Sequence, residues 1–324
     1  MASDPPADLP EIEEFEGEAD QEAQDACPLW LQDLRRSPHR VGFYRSLGNH
    51  ALVFVDRGQR RLIISFDNLS SVREDSMNRD PWGYSFAAGN GWSQLGVMAF
   101  RPDWFRDPAL FTAMRELAEQ GFFRRFSDVT LTGTSMGGYG ACAFASLIPG
   151  CKVIAYSPQS TLKKELVPWE KRFSAGRKAD WSGPFADAAA EIGDAAQVWL
   201  VHDPFCEDDR LHVERFTGDN MHPLRMRHGG HKTALVLRRA GLLGQVTCDV
   251  VENRMTEARF YASYRTNRRQ PWFLNATAEC ARARGRLRLV DRMVQYLRQN
   301  GQGFAAQNLY RQYLRGTEYD PLLK

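Results

Sequence analysis

The segment Gly133-Thr134-Ser135-Met136-Gly137 is the part of the sequence best suited to chemistry. A serine with glycines two residues before and two residues after it fits a sharp strand-to-helix turn that exposes the hydroxyl for attack on a carbonyl. Residues 129–132 before the motif favour a strand, and the small residues after it favour a buried helix. This context predicts that Ser135 is a nucleophile.

A serine hydroxyl needs a base, which is usually a histidine oriented by a carboxylate. The turn resembles that of the α/β-hydrolases, and this resemblance implies that the acid and then the histidine follow the serine along the chain. His231 comes after Gly229-Gly230 and before a predicted helix, so it is the candidate base, and His228 is the rival. The other histidines precede the serine or lie too early for the final loop: His39, His50, His202, His212 and His222.

The acid is expected after the predicted strand at residues 197–202. The acidic residues there are Asp203, Glu207, Asp208 and Asp209. Asp203 lies at the strand end before Pro204, where it can shape the turn. We favour Asp209 over Asp208, because a carboxylate in the loop before the helical stretch at 211–216 can reach the histidine Nδ1–H. The acid that is not used would cap that helix.

An oxyanion hole needs two backbone N–H groups aimed at the developing negative charge. One is expected from Met136, the residue after the nucleophile, and the other from the loop after an early strand. That loop begins Asp67-Asn68-Leu69-Ser70, so the second donor is predicted to be Asn68 or Leu69.

The elements that must position these residues alternate between strands and helices. Strands are predicted at residues 51–55, 62–66, 96–100, 129–131, 152–156 and 197–202, and helices at 107–121, 137–147 and 233–243. Asp107 fits the N-cap of the first helix and Gly121 fits its end. The alternation predicts an α/β fold with a mostly parallel central sheet flanked by helices.

The two ends of the chain differ from this pattern. Residues 1–25 contain ten acidic residues and no Lys or Arg, so residues 1–28 are predicted to be a disordered acidic tail. Residues 29–246 form the predicted main domain, with a short lid at about 161–196. Residues 247–324 are predicted to be a basic helical appendage of three or four helices, and 14 Lys or Arg face 7 Asp or Glu from residue 249 onward.

Composition narrows the function classes. The 324 residues are 43% hydrophobic and contain no apolar run long enough to span a membrane, and the start lacks a secretory signal, so a cytoplasmic protein is expected. The six cysteines are scattered, which argues against a structural zinc site, and no metal or cofactor is expected. The basic C-terminal region could contact an anionic partner, but nucleic acid is not expected because the region has no recognised motif.

Taken together, the serine motif, the acid region and Gly230-His231 resemble the α/β-hydrolase superfamily over roughly residues 40–245. More loosely, Ser157-Pro158-Gln159 and residues 203–212 are similar to bacterial α/β-hydrolase domains found near glycan-assembly enzymes. The resemblance implies the α/β-hydrolase fold and esterase, lipase, amidase, thioesterase or acyl-transfer chemistry, without choosing among them.

The predicted lid suggests the kind of substrate. Trp169, Arg172 and Trp181 belong to a stretch where aromatic and basic residues alternate, which suits a polar or anionic substrate such as a glycan ester. The alternative is that the aromatic residues only pack on the core. Three functions follow: a serine esterase for a small-molecule or glycan ester, an acyltransferase that acylates a sugar hydroxyl, and a non-catalytic binding module.

Overall fold

The computed structural model describes residues 27–36, 42–73 and 78–320. The predicted acidic tail lies outside the described residues, except for residues 27 and 28. At the centre is one eight-stranded sheet, with strands β1 (Gly42–Ser46), β2 (His50–Val55), β3 (Arg61–Phe66), β4 (Ser93–Ala99), β5 (Asp128–Thr134), β6 (Lys152–Tyr156), β7 (Gln197–His202) and β8 (Met221–Arg225).

The strands lie side by side in the order β1-β2-β4-β3-β5-β6-β7-β8. The pairs β1–β2 and β2–β4 are antiparallel, and all pairs from β4–β3 onward are parallel. The predicted α/β fold with a mostly parallel sheet is therefore confirmed. Parallel strands place their carboxyl ends at one edge of the sheet, so the loops that follow β3, β5, β6 and β7 meet there.

Helices cover the sheet and continue beyond it. They are α1 (Leu29–Arg36), α2 (Tyr84–Gly89), α3 (Pro108–Glu119), α4 (Met136–Ala143), α5 (Ala188–Glu191), α6 (Glu207–Glu214), α7 (Thr233–Arg239), α8 (Leu243–Val251), α9 (Glu257–Tyr264), α10 (Pro271–Ala283), α11 (Leu287–Gln299) and α12 (Gly303–Tyr313). Asp107 caps α3 as predicted, because its carboxylate accepts a hydrogen bond from the Ala109 N–H at 2.8 Å.

The two outer strands were not predicted from the sequence. β1 and β8 lie at the two edges of the sheet, and most of their residues are half-buried or exposed. Edge strands can carry polar residues, and β8 also contains Pro223, so neither segment forms the continuous apolar run that marks a buried strand. The predicted helix at 233–243 is also shorter, since α7 ends at Arg239 and α8 begins at Leu243.

The C-terminal region has four helices, α9 to α12, in the described residues. The predicted domain boundary at residue 246 falls inside α8, whose Val246 and Val250 share an apolar cluster with Ile154 and Tyr156 of β6. A separate cluster joins α10, α11 and α12 through residues such as Val290, Leu297 and Leu309. Within the described ranges no helix is long and apolar enough to cross a membrane.

Candidate active site

Ser135 lies on a strained turn between β5 and α4. Its backbone angles are φ 51° and ψ −116°, a conformation that costs a residue with a side chain about 1–3 kcal/mol. A Cβ atom at Gly133 would overlap the carbonyl group of Gly137, and one at Gly137 would overlap the Phe66 carbonyl oxygen. Both glycines are therefore required by the close approach of the helix to the strands, as the motif predicts.

The structure brings Ser135, His231 and Asp209 together at the carboxyl edge of the sheet. Ser135 Oγ is 2.9 Å from His231 Nε2, and His231 Nδ1 is 2.9 Å from both carboxylate oxygens of Asp209. The Asp208 carboxylate contacts Arg172 instead of the histidine. Of the two acids left open by the sequence, Asp209 is the one that can orient His231.

Asp209 is buried in the first turn of α6, whereas the sequence predicted a loop position before the helix. The predicted helix begins too late in the chain: α6 already begins at Glu207. Its first turn carries three acids, which the helix dipole favours. Burial would raise the pKa of Asp209, but hydrogen bonds from His231 and the charge of Arg172 lower it. A carboxylate ionised in this position accepts the His231 Nδ1–H and leaves Nε2 free to accept a proton.

The loop that carries His231 is shaped by Asp203. One carboxylate oxygen of Asp203 accepts the Gly230 N–H at 2.9 Å, and the other accepts the Phe205 N–H at 2.9 Å. Gly230 has φ 56°, which favours glycine. His228, the rival base, lies away from the serine, with its Nδ1 3.9 Å from Cys280 Sγ.

Gln159 is a residue at the site that the sequence reasoning did not single out as functional. Its Nε2 is 3.4 Å from Ser135 Oγ, and its Oε1 accepts a hydrogen bond from Trp104 Nε1 at 2.9 Å. The side chain is completely buried, so this amide has a fixed orientation. Its signal in the sequence is its place after the predicted strand at 152–156, and its contact with Ser135 depends on the pairing of that strand with β5.

No protein-family model matches the sequence, and no curated protein matches it. Solved structures that resemble the chain include the capsule O-acetyltransferase of Neisseria meningitidis serogroup A, with 14% identity over 60% of this chain and 90% of that chain and a TM-score of 0.41. The Glycosylation Associate Protein (Gap123) complex from Streptococcus agalactiae matches with 16% identity over 63% of this chain and 45% of that chain, at 0.44.

The Pyrococcus furiosus esterase Pf2001 matches with 12% identity over 66% of this chain and 89% of that chain, with a TM-score of 0.43. Likenesses this distant say nothing of a substrate. The mostly parallel sheet, the serine on the turn after β5, and the order serine, acid, histidine along the chain are the features that decide the fold. The fold is that of the α/β-hydrolases.

The expected oxyanion hole lies where the first turn of α4 meets the loop after β3. Met136 is the first residue of α4. Asn68 and Leu69 begin a turn in which Asn68 Oδ1 accepts the Ser71 N–H at 3.0 Å. A Cβ at Gly137 would lie 2.7 Å from the Asp67 carbonyl oxygen, so the loop and the helix are in close contact. The donor roles of Met136, Asn68 and Leu69 stay predictions.

The two lid tryptophans that were predicted to bind substrate, Trp169 and Trp181, pack against other side chains. Trp181 is only 7% exposed, donates from Nε1 to the Gly176 carbonyl oxygen at 2.8 Å and packs edge-on against Tyr139 in the core. Trp169 packs against the ring of His212, 4.6 Å away. Trp181 therefore packs on the core, which was the alternative. The sequence could not show this, because buried and exposed aromatic residues look alike in a sequence.

Arg172 was also predicted to bind substrate, but its guanidinium is engaged by three carboxylates. It forms ion pairs with Glu170, Asp208 and Asp209 at 2.6–3.1 Å. A guanidinium with these partners is not free to bind an anionic substrate. We therefore correct this prediction: Arg172 belongs to the support of the site.

One group among the described residues could hold a metal ion. His50, Asp103 and Asp107 place potential ligand atoms within 4.8 Å of one another. The His50 nitrogens are 3.2 Å from Asp103 and 3.7 Å from Asp107, distances that also fit ion pairs with a protonated histidine. The Asp107 carboxylate is already used by the α3 cap and by Asn49.

Proposed function

We propose that this α/β-hydrolase is a serine esterase. The observation that supports it best is the continuous hydrogen-bonded chain from Ser135 Oγ through His231 to the buried Asp209. This chain couples a hydroxyl on a strained, accessible turn to a base whose second nitrogen is held by an ionised acid.

In the proposed reaction His231 Nε2 takes the Ser135 proton as Oγ attacks the ester carbonyl. The C–O bond to the leaving alcohol then breaks, and the alcohol leaves with the proton from His231, giving an acyl-enzyme. Water next gives a proton to His231 and attacks the acyl carbon, and Ser135 regains its proton as the acid product leaves. Asp209 stabilises the imidazolium that forms in both halves of the reaction.

The lid supports a polar or anionic ester, such as a glycan ester, as the substrate class. A groove of about 290 Å³ in the lid is lined by Lys163, Lys164, Glu165, Arg177, Ala179, Trp181 and Ser182. Three cations and one acid in a concave surface attract anionic groups. This part of the proposal concerns specificity and is separate from the triad chemistry.

The test is labelling by a fluorophosphonate probe together with hydrolysis of a panel of acyl esters, including acylated and acidic sugars. We expect the probe to modify Ser135 and both signals to disappear in Ser135→Ala. Ser127→Ala, which changes an exposed serine at the opposite end of β5, is the matched control and should behave like the wild type. An unlabelled Ser135 and no ester cleaved would reject the proposal.

A further inference from the structure

Arg172 lies directly beside the proposed triad acid. Its Nη1 is 2.8 Å from Asp209 Oδ1, its Nη2 is 2.6 Å from Glu170 Oε2, and its Nε is 3.1 Å from both Asp208 Oδ2 and Glu170 Oε2. All three guanidinium nitrogens therefore face carboxylates. The side chain is only 27% exposed, which strengthens these interactions relative to those of a surface arginine.

The same oxygen of Asp209 serves both Arg172 and His231. Oδ1 accepts from Arg172 Nη1 at 2.8 Å and from His231 Nδ1 at 2.9 Å. A histidine gains basicity from a neighbouring carboxylate because the negative charge stabilises the imidazolium. A permanent cation on that carboxylate offsets part of this stabilisation, and arginine remains charged at every relevant pH.

Away from Asp209, Arg172 is held by Glu170, which is itself paired with the buried His212. Glu170 accepts a hydrogen bond from His212 Nε2 at 3.1 Å, and His212 Nδ1 accepts the Ser160 N–H at 3.1 Å. The Ser160 donor fixes the proton of His212 on Nε2, and burial lowers the pKa of His212. Burial would raise the pKa of Glu170, but hydrogen bonds from His212 and Arg172 lower it to about 2. Glu170 is thus a fixed anion that anchors Arg172.

Arg172 also joins the lid to the active site. The next residue, Phe173, packs its ring 5.7 Å from the His231 ring and 5.0 Å from the Trp104 ring. The guanidinium of Arg172 lies over the same phenylalanine, 5.0 Å from its centroid. Arg172 and Phe173 therefore connect the ion pairs on Asp209 with the ring that packs against His231.

We propose that Arg172 is a positioning residue: it weakens His231 as a base by sharing Asp209, and it fastens the lid segment against the triad. This rests on the proposed function of Ser135, His231 and Asp209. It deepens that function because it makes the working pH range of the site depend on a lid residue. A weaker base stays unprotonated at lower pH, so Arg172 extends activity toward acid conditions.

Other charged or titratable groups lie on the elements around His231: Glu170, His202, Asp203, Asp208, Asp209, Arg227, His228 and Lys232. Lys171 precedes Arg172 in the lid, is exposed, and has no ion pair within the part of the chain that the structure describes. It provides a matched control, since Lys171→Met removes the same charge one residue away.

The experiment follows the His231 ring by NMR over pH 4–9 in the full chain, with the signal assigned from a His231→Gln variant. We expect Arg172→Met to raise the midpoint of the His231 titration by on the order of one pH unit, the size of a screened charge at this range. Lys171→Met should titrate like the wild type, and Arg172→Lys, which keeps the charge but loses the fork, should shift less than Arg172→Met. In Arg172→Met the acid side of the pH profile of kcat/KM should move to higher pH by the same amount.

A His231 midpoint that is the same in the wild type, Arg172→Met and Lys171→Met would overturn the proposal. If Arg172→Met does not fold, a midpoint in Arg172→Gln, which also removes the charge, equal to that of the wild type would overturn it as well. The NMR titration does not require turnover. It therefore tests Arg172 separately from the esterase proposal, which fails only if Ser135 does not react.

Discussion

Replacing Gln159 by methionine removes a side-chain amide that is directed at Ser135 Oγ. In the resting site its Nε2 is 3.4 Å from Oγ, which is a long hydrogen bond. When negative charge develops beside Oγ, a donor held there gains strength, and hydrogen bonds to charged groups contribute about 1.5–3 kcal/mol. At about 1.4 kcal/mol for each tenfold change in rate, we expect Gln159→Met to lower kcat/KM by roughly 10- to 150-fold.

The same substitution also removes a partner of Trp104. The Trp104 indole N–H is buried and donates to Gln159 Oε1 at 2.9 Å, and a buried donor without an acceptor costs about 1–3 kcal/mol of stability. The assay therefore has two parts: kcat/KM for a soluble ester together with the rate of fluorophosphonate labelling, and the free energy of unfolding in urea. Gln159→Glu is the control, because it keeps an acceptor for Trp104 but replaces the donor with a carboxylate.

The two parts of the assay separate a role in catalysis from a role in packing. We expect Gln159→Glu to remain closer to the wild type in stability than Gln159→Met, and to lose at least as much activity. If Gln159→Met loses the stability but keeps kcat/KM within about twofold of the wild type, the reasoning is refuted. Gln159 would then serve only to hold Trp104.

Three further predictions concern the proposed triad acid Asp209, the turn at Gly137 and the buried carboxylate of Glu170. Asp209→Asn should lower kcat by on the order of 10⁴-fold in steady-state kinetics, because His231 loses the partner that sets its tautomer. Gly137→Ala should abolish the folded state or the probe reaction, since its Cβ would overlap the Phe66 carbonyl, and circular dichroism with labelling checks this. Glu170 has a pKa of about 2 in the folded chain against 4.5 ordinarily, so its stabilisation is present above about pH 4.5 and lost as the pH falls toward 2. Glu170→Gln should therefore be less stable by roughly 2–3 kcal/mol at pH 7 in urea unfolding, and the gap should shrink near pH 2. A gap that is independent of pH would contradict this assignment.

Much of the fold could be predicted because the signals are local. The buried strands β2, β3, β6 and β7 are short apolar runs that cannot be mistaken for amphipathic helices, and they lie where the sequence placed them. The edge strands β1 and β8 could not be found this way, because their composition is not set by burial on both faces. The predicted boundary at 246 falls inside α8, and helical periodicity does not show which core a helix packs on.

The sequence by itself determined the position of the proposed nucleophile and the order of the candidate groups that follow it. A turn that puts Ser135 at φ 51° needs Gly133 and Gly137. Both glycines are two residues away from Ser135 in the chain, so the motif is visible in the sequence. The placement of His231 after two glycines and before a helix is local in the same sense.

Only the tertiary structure decided which side chains support the serine. Asp209, and not Asp208, reaches His231. Arg172 forms an ion pair with Asp209, although the sequence predicted that it binds substrate. Gln159 contacts Ser135. These pairs are 22, 37 and 24 residues apart in the chain. Their contact depends on how strands and loops are placed side by side at one edge of the sheet, and hydrogen bonds and ion pairs act only over a few ångström. A sequence gives the chemistry of such groups, but the distances between them come from the packing of the whole sheet.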